Sequence, residues 1–205
     1  MNLENIQTFD FPFKHWEIQN CVDEPTLNEI SFADIPDGKR VYDGTRAADY
    51  TGRGQDGKLR LFVTKDNAKS FPNLTKLINK LQSKKFSSSI SSILDKDLSN
   101  SYVRLELIAD KKGFWLKPHK DIPEKIMTMM LWANPYNESA LLGTDMYNNK
   151  YELVKTIKYI HNCGYFFTSG EDTWHGLEMK EIINERRCIQ INYVTFETDW
   201  PVEKN

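Results

Sequence analysis

His119 and Asp121 stand one residue apart in Trp115-Leu-Lys-Pro-His119-Lys-Asp121, and in an extended chain residues two apart point to the same side. One imidazole and one carboxylate can therefore be aimed at a single point. His175, in Thr173-Trp-His-Gly, is the third donor we assign to that point, and the fold has to bring it in from 54 residues beyond Asp121. Two histidines and one carboxylate leave three positions of a metal open, which suits a non-haem Fe(II) ion that must take up further ligands and oxygen. A His-x-Asp pair by itself is weak evidence, since a hydrogen-bonded structural histidine is the simpler account of His119 alone. Pro118 adds context, because proline fits the first residue of a strand or a loop edge and so sets the pair at the mouth of a sheet. The rival ligand His161 lies in the turn-like Ile160-His-Asn-Cys-Gly164, and His15 sits among N-terminal aromatics as a packing or surface residue.

The elements that must hold these groups are mainly strands. Residues 102–108, 126–132, 151–157, 164–168 and 187–194 are rich in β-branched and aromatic residues and are separated by Gly, Asn, Pro and Asp turns, which predicts a sandwich or barrel. Towards the N-terminus, Phe9, Phe11, Phe13, Trp16 and Ile18 alternate with other residues as in one strand. A short helix is expected after Pro25, with Leu27 and Ile30 on one side, ending at Ile35-Pro-Asp-Gly. Leu74, Leu77, Ile78 and Leu81, then Phe86, Ile90, Ile93 and Leu94, recur at steps of three and four, the stripe of an amphipathic helix pair. Lys76, Lys80, Lys84 and Lys85 lie off that stripe and read as a solvated face, and the serines between 87 and 92 are expected to mark a break.

Composition narrows the classes. The 205 residues are enough for one core and short for two, so we read 1–205 as a single domain, with 1–99 an α/β support region and 100–196 the β core. The chain is 40% hydrophobic and 27% charged, and 27 basic residues face 29 acidic ones for a net charge of −2. No global field favours nucleic acid or an anionic membrane, and neither is expected as a partner. Cys21, Cys163 and Cys188 are odd in number and lack CxxC spacing, so no disulfide framework or zinc knuckle is encoded. No leader-like N-terminus or membrane-length apolar run is present, and a cytoplasmic location is expected. Gly52-Arg-Gly54-Gln-Asp-Gly57 matches a dinucleotide fingerprint in form only, since Asp49-Tyr-Thr precedes it and the alternating Leu59-Arg-Leu-Phe-Val63 follows, where a strand and a helix are required. The surrounding 37–60 loop, with Arg46, Tyr50 and Arg53, could instead cover a site.

Arg186 and Arg187 open the last strong strand, 11 and 12 residues after His175. Arginine grips a carboxylate through two parallel hydrogen bonds. In a strand, Arg186 shares a face with Cys188, Gln190 and Asn192, while Arg187 shares one with Ile189 and Ile191, so Arg186 is the better candidate for a polar pocket and an outward Arg would pair with Glu185 or Glu181.

His119-x-Asp121, His175 and Arg186-x-Cys-Ile-Gln-Ile-Asn-Tyr together resemble the 2-oxoglutarate and Fe(II)-dependent dioxygenases, in particular the prolyl-hydroxylase-like branch. The likeness covers roughly 100–196 and takes in Lys125-Ile-Met-Thr128-Met-Met-Leu-Trp132-Ala-Asn134 and Gly143-Thr-Asp145, the latter where many members have a Gly-Gly pair. It implies a double-stranded β-helix, or jelly roll, of the cupin-like barrel class, mainly β with flanking helices bracing the larger sheet. It further implies His119, Asp121 and His175 as Fe(II) ligands. Arg186 would bind the far carboxylate of 2-oxoglutarate, with Trp132, Thr128, Met130 and Gln190 also in the cosubstrate site. Where related hydroxylases often place a tyrosine, this chain has Trp132, whose indole can only donate, and a second family tyrosine is matched by Ala109. O2 would be the other substrate and ascorbate an accessory reductant. The activity implied is hydroxylation of an unreactive C–H with release of succinate and CO2, because Asp121 stands where halogenating relatives carry a small residue.

Other readings stay open at this level. A cupin-like metal protein or isomerase would use the same barrel without 2-oxoglutarate. A zinc hydrolase lacks its helical HExxH, and a purely structural role would need no metal. The prime substrate, small molecule or peptide, and the oligomeric state are not specified by these motifs.

Overall fold

The computed structural model describes residues 1–35 and 58–204; the fingerprint-like glycines and Arg46, Tyr50 and Arg53 of the 37–60 loop lie outside them. Among the described residues three α-helices lie N-terminal to most of the strands: α1 (Glu24–Phe32), α2 (Pro72–Gln82) and α3 (Lys84–Leu94). One sheet contains β1 (Ile6–Phe9), β2 (His15–Gln19), β3 (Lys58–Phe62), β4 (Tyr102–Asp110), β6 (Lys125–Ala133), β9 (Cys163–Phe167), β11 (Arg186–Val194) and β12 (Trp200–Pro201). Its order is β1-β2-β9-β6-β11-β4-β12, with β3 also on β4. A smaller sheet runs β5 (Leu116–His119), β10 (His175–Leu177), β7 (Thr144–Tyr147) and β8 (Leu153–Ile157). All pairings are antiparallel, and two such sheets facing each other form the expected jelly roll.

Strand alternation assigns each residue of the larger sheet to one of two cores. Val103, Leu105, Leu107, Met127, Met129, Leu131, Ile189 and Ile191 meet Leu74, Ile78, Leu81 and Ile90 of α2 and α3. The intervening Ile108, Trp132, Tyr165, Phe167 and Cys188 face Met146, Ile157 and Leu177 of the smaller sheet. Polar residues on this inner face therefore point into the space between the sheets, which is where a site can form. Among the described residues no helix is long and apolar enough to cross a membrane.

Two local expectations are corrected. The N-terminal aromatics form a hairpin of two strands, with Ile6 opposite Ile18, because Pro12 has no N–H to donate to a ladder; Phe11 is consequently 64% exposed. The serine run does not interrupt a helix. The break falls at Ser83, between α2 and α3, and the hydroxyls of Ser87, Ser89 and Ser92 donate to the carbonyls of Lys84, Lys85 and Ser88 at 3.2, 3.0 and 3.0 Å. A hydroxyl that donates to a carbonyl one turn back is satisfied within the helix at a slight cost and need not end it.

The helices are tied together by Glu29 of α1. Its carboxylate accepts from Asn73 N (3.1 Å), Asn73 Nδ2 (2.9 Å) and Leu74 N (2.8 Å), filling the first turn of α2, whose N–H groups have no partner within the helix. Glu29→Ala is expected to lower stability by about 1–3 kcal/mol in urea unfolding, whereas Glu24→Ala, on an exposed 3.4 Å bond to Asn28, should stay within about 0.5 kcal/mol.

Candidate metal centre

β5 ends on His119 and β10 begins on His175, and the two residues are direct partners in the antiparallel pair. Their ring centroids lie 4.4 Å apart. Close approach of the two strands depends on Gly176: a Cβ there would lie 2.5 Å from the Leu116 carbonyl oxygen and 3.1 Å from Lys117 backbone. Asp121 is not on the strand with His119, as the two-residue spacing suggested, but just past its end. Two residues of β6 turn it inward. Lys125 Nζ donates to Oδ1 at 2.5 Å and Thr128 Oγ1 to Oδ2 at 2.6 Å, and Asn192 Nδ2 donates in turn to Thr128 Oγ1 at 2.8 Å.

One donor atom from each of His119, Asp121 and His175 lies within 4.8 Å of the others. Donors that share one side of an ion at ~2.0–2.2 Å lie roughly 3 Å from one another, so binding would draw the three together. Each histidine is also set to the same tautomer. His119 Nδ1 lies 3.1 Å from the Lys117 carbonyl and His175 Nδ1 2.9 Å from the Thr173 carbonyl; a carbonyl only accepts, so each Nδ1 carries the proton and each Nε2 presents a lone pair.

Electrostatics favour the same state. Burial, reinforced by the neighbouring His175, pushes the His119 imidazolium pKa down to about 3 against the opposing pull of Asp121. His175 is likewise lowered by burial. Burial opposes ionisation of Asp121, yet the Lys125 ammonium, with His175 and His119 beyond it, outweighs burial and holds the carboxyl below the usual range. Near neutral pH the centre is thus two neutral imidazoles and one carboxylate, the protonation state a divalent ion needs.

The centre opens into a cavity of about 80 Å³ between the sheets. Of the residues expected in a cosubstrate site, Arg186, Thr128, Met130 and Gln190 line it. Thr128, however, is engaged with Asp121. Trp132 is not in the wall: it is 1% exposed, stacked on Tyr165 at 5.5 Å, and its Nε1 has no partner among the described residues. Ala109 faces the helices, leaving Ile108 and Asp110 as its inner-face neighbours.

Arg186 lies on the cavity face, as strand alternation required, and Arg187 on the other, bonded to Ala33 O at 2.7 Å and to Glu185 at 2.5 Å. His161 is a turn residue that accepts from Asn134 N at 2.9 Å. His15 is fully buried between the Phe13 carbonyl (2.8 Å) and Lys155 Nζ (2.8 Å). The expected Gly-Gly position carries Asp145, buried and paired with Lys180 at 2.6 Å.

Among the wall residues that went unrecognised in the sequence are Lys125, Tyr165 and Arg60. Lys125 opens the strand after Asp121. Tyr165 lies across from Met130, and burial raises its phenol pKa, so it is a hydroxyl donor. Arg60 alternates with apolar Leu59 and Leu61, a pattern that could have flagged it.

If Gly176 is what lets β10 approach β5, Gly176→Ala should weaken Mn(II) binding by at least about tenfold in an EPR titration, whereas Gly170→Ala, with only a side-chain methyl at 3.5 Å, should leave it unchanged.

Solved structures share this arrangement of sheets. A Pseudomonas putida prolyl-4-hydroxylase aligns with a TM-score of 0.60 at 11% identity, over 89% of this chain and 93% of its own. A Trichoplax adhaerens prolyl hydroxylase, solved with a hypoxia inducible factor oxygen degradation domain peptide, also aligns at 0.60, with 16% identity over 88% and 83%. A Burkholderia pseudomallei protein of the 2OG-Fe(II) oxygenase family gives 0.50 at 9% identity, over 72% and 69%. No protein-family model and no curated protein matches the sequence. The chain therefore has the jelly-roll fold of the prolyl hydroxylases and 2OG-Fe(II) oxygenases, reached with a sequence far from theirs.

Proposed function

We propose that this protein is a 2-oxoglutarate- and Fe(II)-dependent oxygenase that hydroxylates an unactivated C–H bond and releases succinate and CO2. The observation that carries the reading is the His119–Asp121–His175 centre, with both Nε2 atoms unbonded among the described residues, opening into a cavity with Arg186 in its wall. Charge supports it. Among the described residues, the buried charged groups in and beside the cavity balance, three cations, Arg60, Lys125 and Arg186, against three anions, Glu106, Asp110 and Asp121. A divalent metal would leave that balance positive by two, and buried charge is costly unless paired, so a dianionic occupant fits better than a neutral one.

His119, Asp121 and His175 would hold the ion on one side and leave the other open to the cavity. Lys125 and Thr128 fix the Asp121 carboxylate, and Phe167 packs edge-on against His175 at 4.9 Å, which limits reorientation of the ring. Arg186 would receive the far carboxylate, with the Tyr165 hydroxyl in the same wall. When bound, iron with 2-oxoglutarate and oxygen supplies the oxidising power for C–H cleavage; the chain orients the partners and excludes water. We read 1–205 as one catalytic unit acting on a small molecule or peptide. All three cysteines are free, in keeping with a reducing compartment such as the cytoplasm.

The test needs no prime substrate. Protein incubated with Fe(II), ascorbate, oxygen and 2-oxoglutarate should form succinate slowly, followed by mass spectrometry, and His175→Ala should abolish it. Arg186→Leu should raise the 2-oxoglutarate requirement about tenfold to a hundredfold, the scale of one lost charge-assisted bond, with Arg187→Leu near wild type. Succinate formation indifferent to His175→Ala would refute the assignment.

A further inference from the structure

Arg186 has little left to offer a ligand. Its Nε donates to the Leu142 carbonyl, Nη2 to Gly143 O at 2.9 Å, and Nη1 to Asp110 Oδ2 at 2.6 Å and Cys188 Sγ at 3.6 Å. Guanidinium carries five N–H groups, so one remains, on Nη2. A carboxylate held in a two-pronged grip needs two. The positions that supply a second contact in related hydroxylases give none here, since Trp132 lies behind the wall and Ala109 faces the helices.

A second arginine reaches the same place from outside the strands that carry the centre. Arg60, on β3 and paired across from Ile108, lines the cavity with a side chain 7% exposed. Its Nη1 forms an ion pair with Asp110 Oδ1 at 2.6 Å and donates to Leu59 O at 3.1 Å, its Nε is 4.0 Å from Glu106, and its guanidinium lies over Phe114 at 5.2 Å. Nη2 has no hydrogen-bond partner among the described residues. Asp110 is completely buried and divides its two oxygens between the two arginines. One anion thus holds two guanidiniums at the cavity wall, with Glu106 beside the Arg60 Nε.

We propose that Arg60 is a second carboxylate-binding residue of this cavity, so that the far carboxylate of 2-oxoglutarate is bound across Arg60 and Arg186 with Asp110 as their shared spacer. This deepens, and rests on, the cosubstrate reading above. Asp110 acts as a positioning residue and does not touch the ligand.

The experiment uses Mn(II)-loaded protein and two probes measured by calorimetry: 2-oxoglutarate, and 2-oxobutyrate, which keeps the keto-acid head and lacks the far carboxylate. Arg60→Met should weaken 2-oxoglutarate about tenfold or more and leave 2-oxobutyrate within about twofold. Arg60→Lys, which retains a charge for Asp110 without the planar fork, should fall between wild type and Arg60→Met. An equal loss for both acids, a loss of Mn(II) affinity in both variants, or unchanged 2-oxoglutarate affinity would overturn the proposal. Wild-type protein that binds Mn(II) but no 2-oxoglutarate would overturn the cosubstrate reading first, and this proposal with it.

Discussion

Antiparallel pairing of β10 with β5 is the contact on which the site depends. It places His175 opposite His119, so that two histidines far apart in sequence share one point without a loop having to be ordered around a metal. Short strands held on both sides are stiffer supports than loops, and β10 is flanked by β5 and β7. Gly176 lets the backbones approach, and the paired ladder fixes where the rings can go. Each ring then bonds the carbonyl two residues before it, so the strand conformation that positions a ligand also chooses which nitrogen faces the cavity.

The carboxylate is handled differently. Asp121 leaves the strand and is captured by side chains of the larger sheet, with Lys125 on one oxygen and Thr128 on the other. Asn192 holds Thr128 from β11, and so Asp121 ties the two sheets together beside the two histidines. Further along the same inner face, Asp110 organises Arg60 and Arg186. Buried carboxylates here position their neighbours, Asp110 two arginines and Asp121 a lysine and a threonine.

Much of this was legible from residue order, for physical reasons that differ by element. The long strands β4, β6 and β11 are nine residues each, long enough for alternation to show which side is polar, and that alone separated Arg186 from Arg187. The helix pair carried a clear three-four stripe. By contrast β5, β7 and β10, with four, four and three residues, are too short for periodicity to declare them, and β10 is where His175 sits. His175 could be singled out from its turn-flanked setting, but its partner across the ladder could not. Lys125, Tyr165 and Arg60 escaped notice because their roles arise from contacts between strands distant in sequence. Trp132 lined up with a family position yet faces Tyr165 behind the cavity, since alignment of letters does not fix how far a side chain reaches.

The central claim is that a single ion on His119, Asp121 and His175 is chelated by a 2-oxo acid in this cavity. Titrating the anaerobic Fe(II) protein with 2-oxoglutarate and recording the visible spectrum tests it directly, because chelation of Fe(II) by a 2-oxo acid gives a charge-transfer absorption that neither component has alone. We expect a band that saturates at about one equivalent per iron and is absent in Asp121→Ala. Tight Fe(II) binding at these three residues with no such band at any 2-oxoglutarate concentration would contradict it.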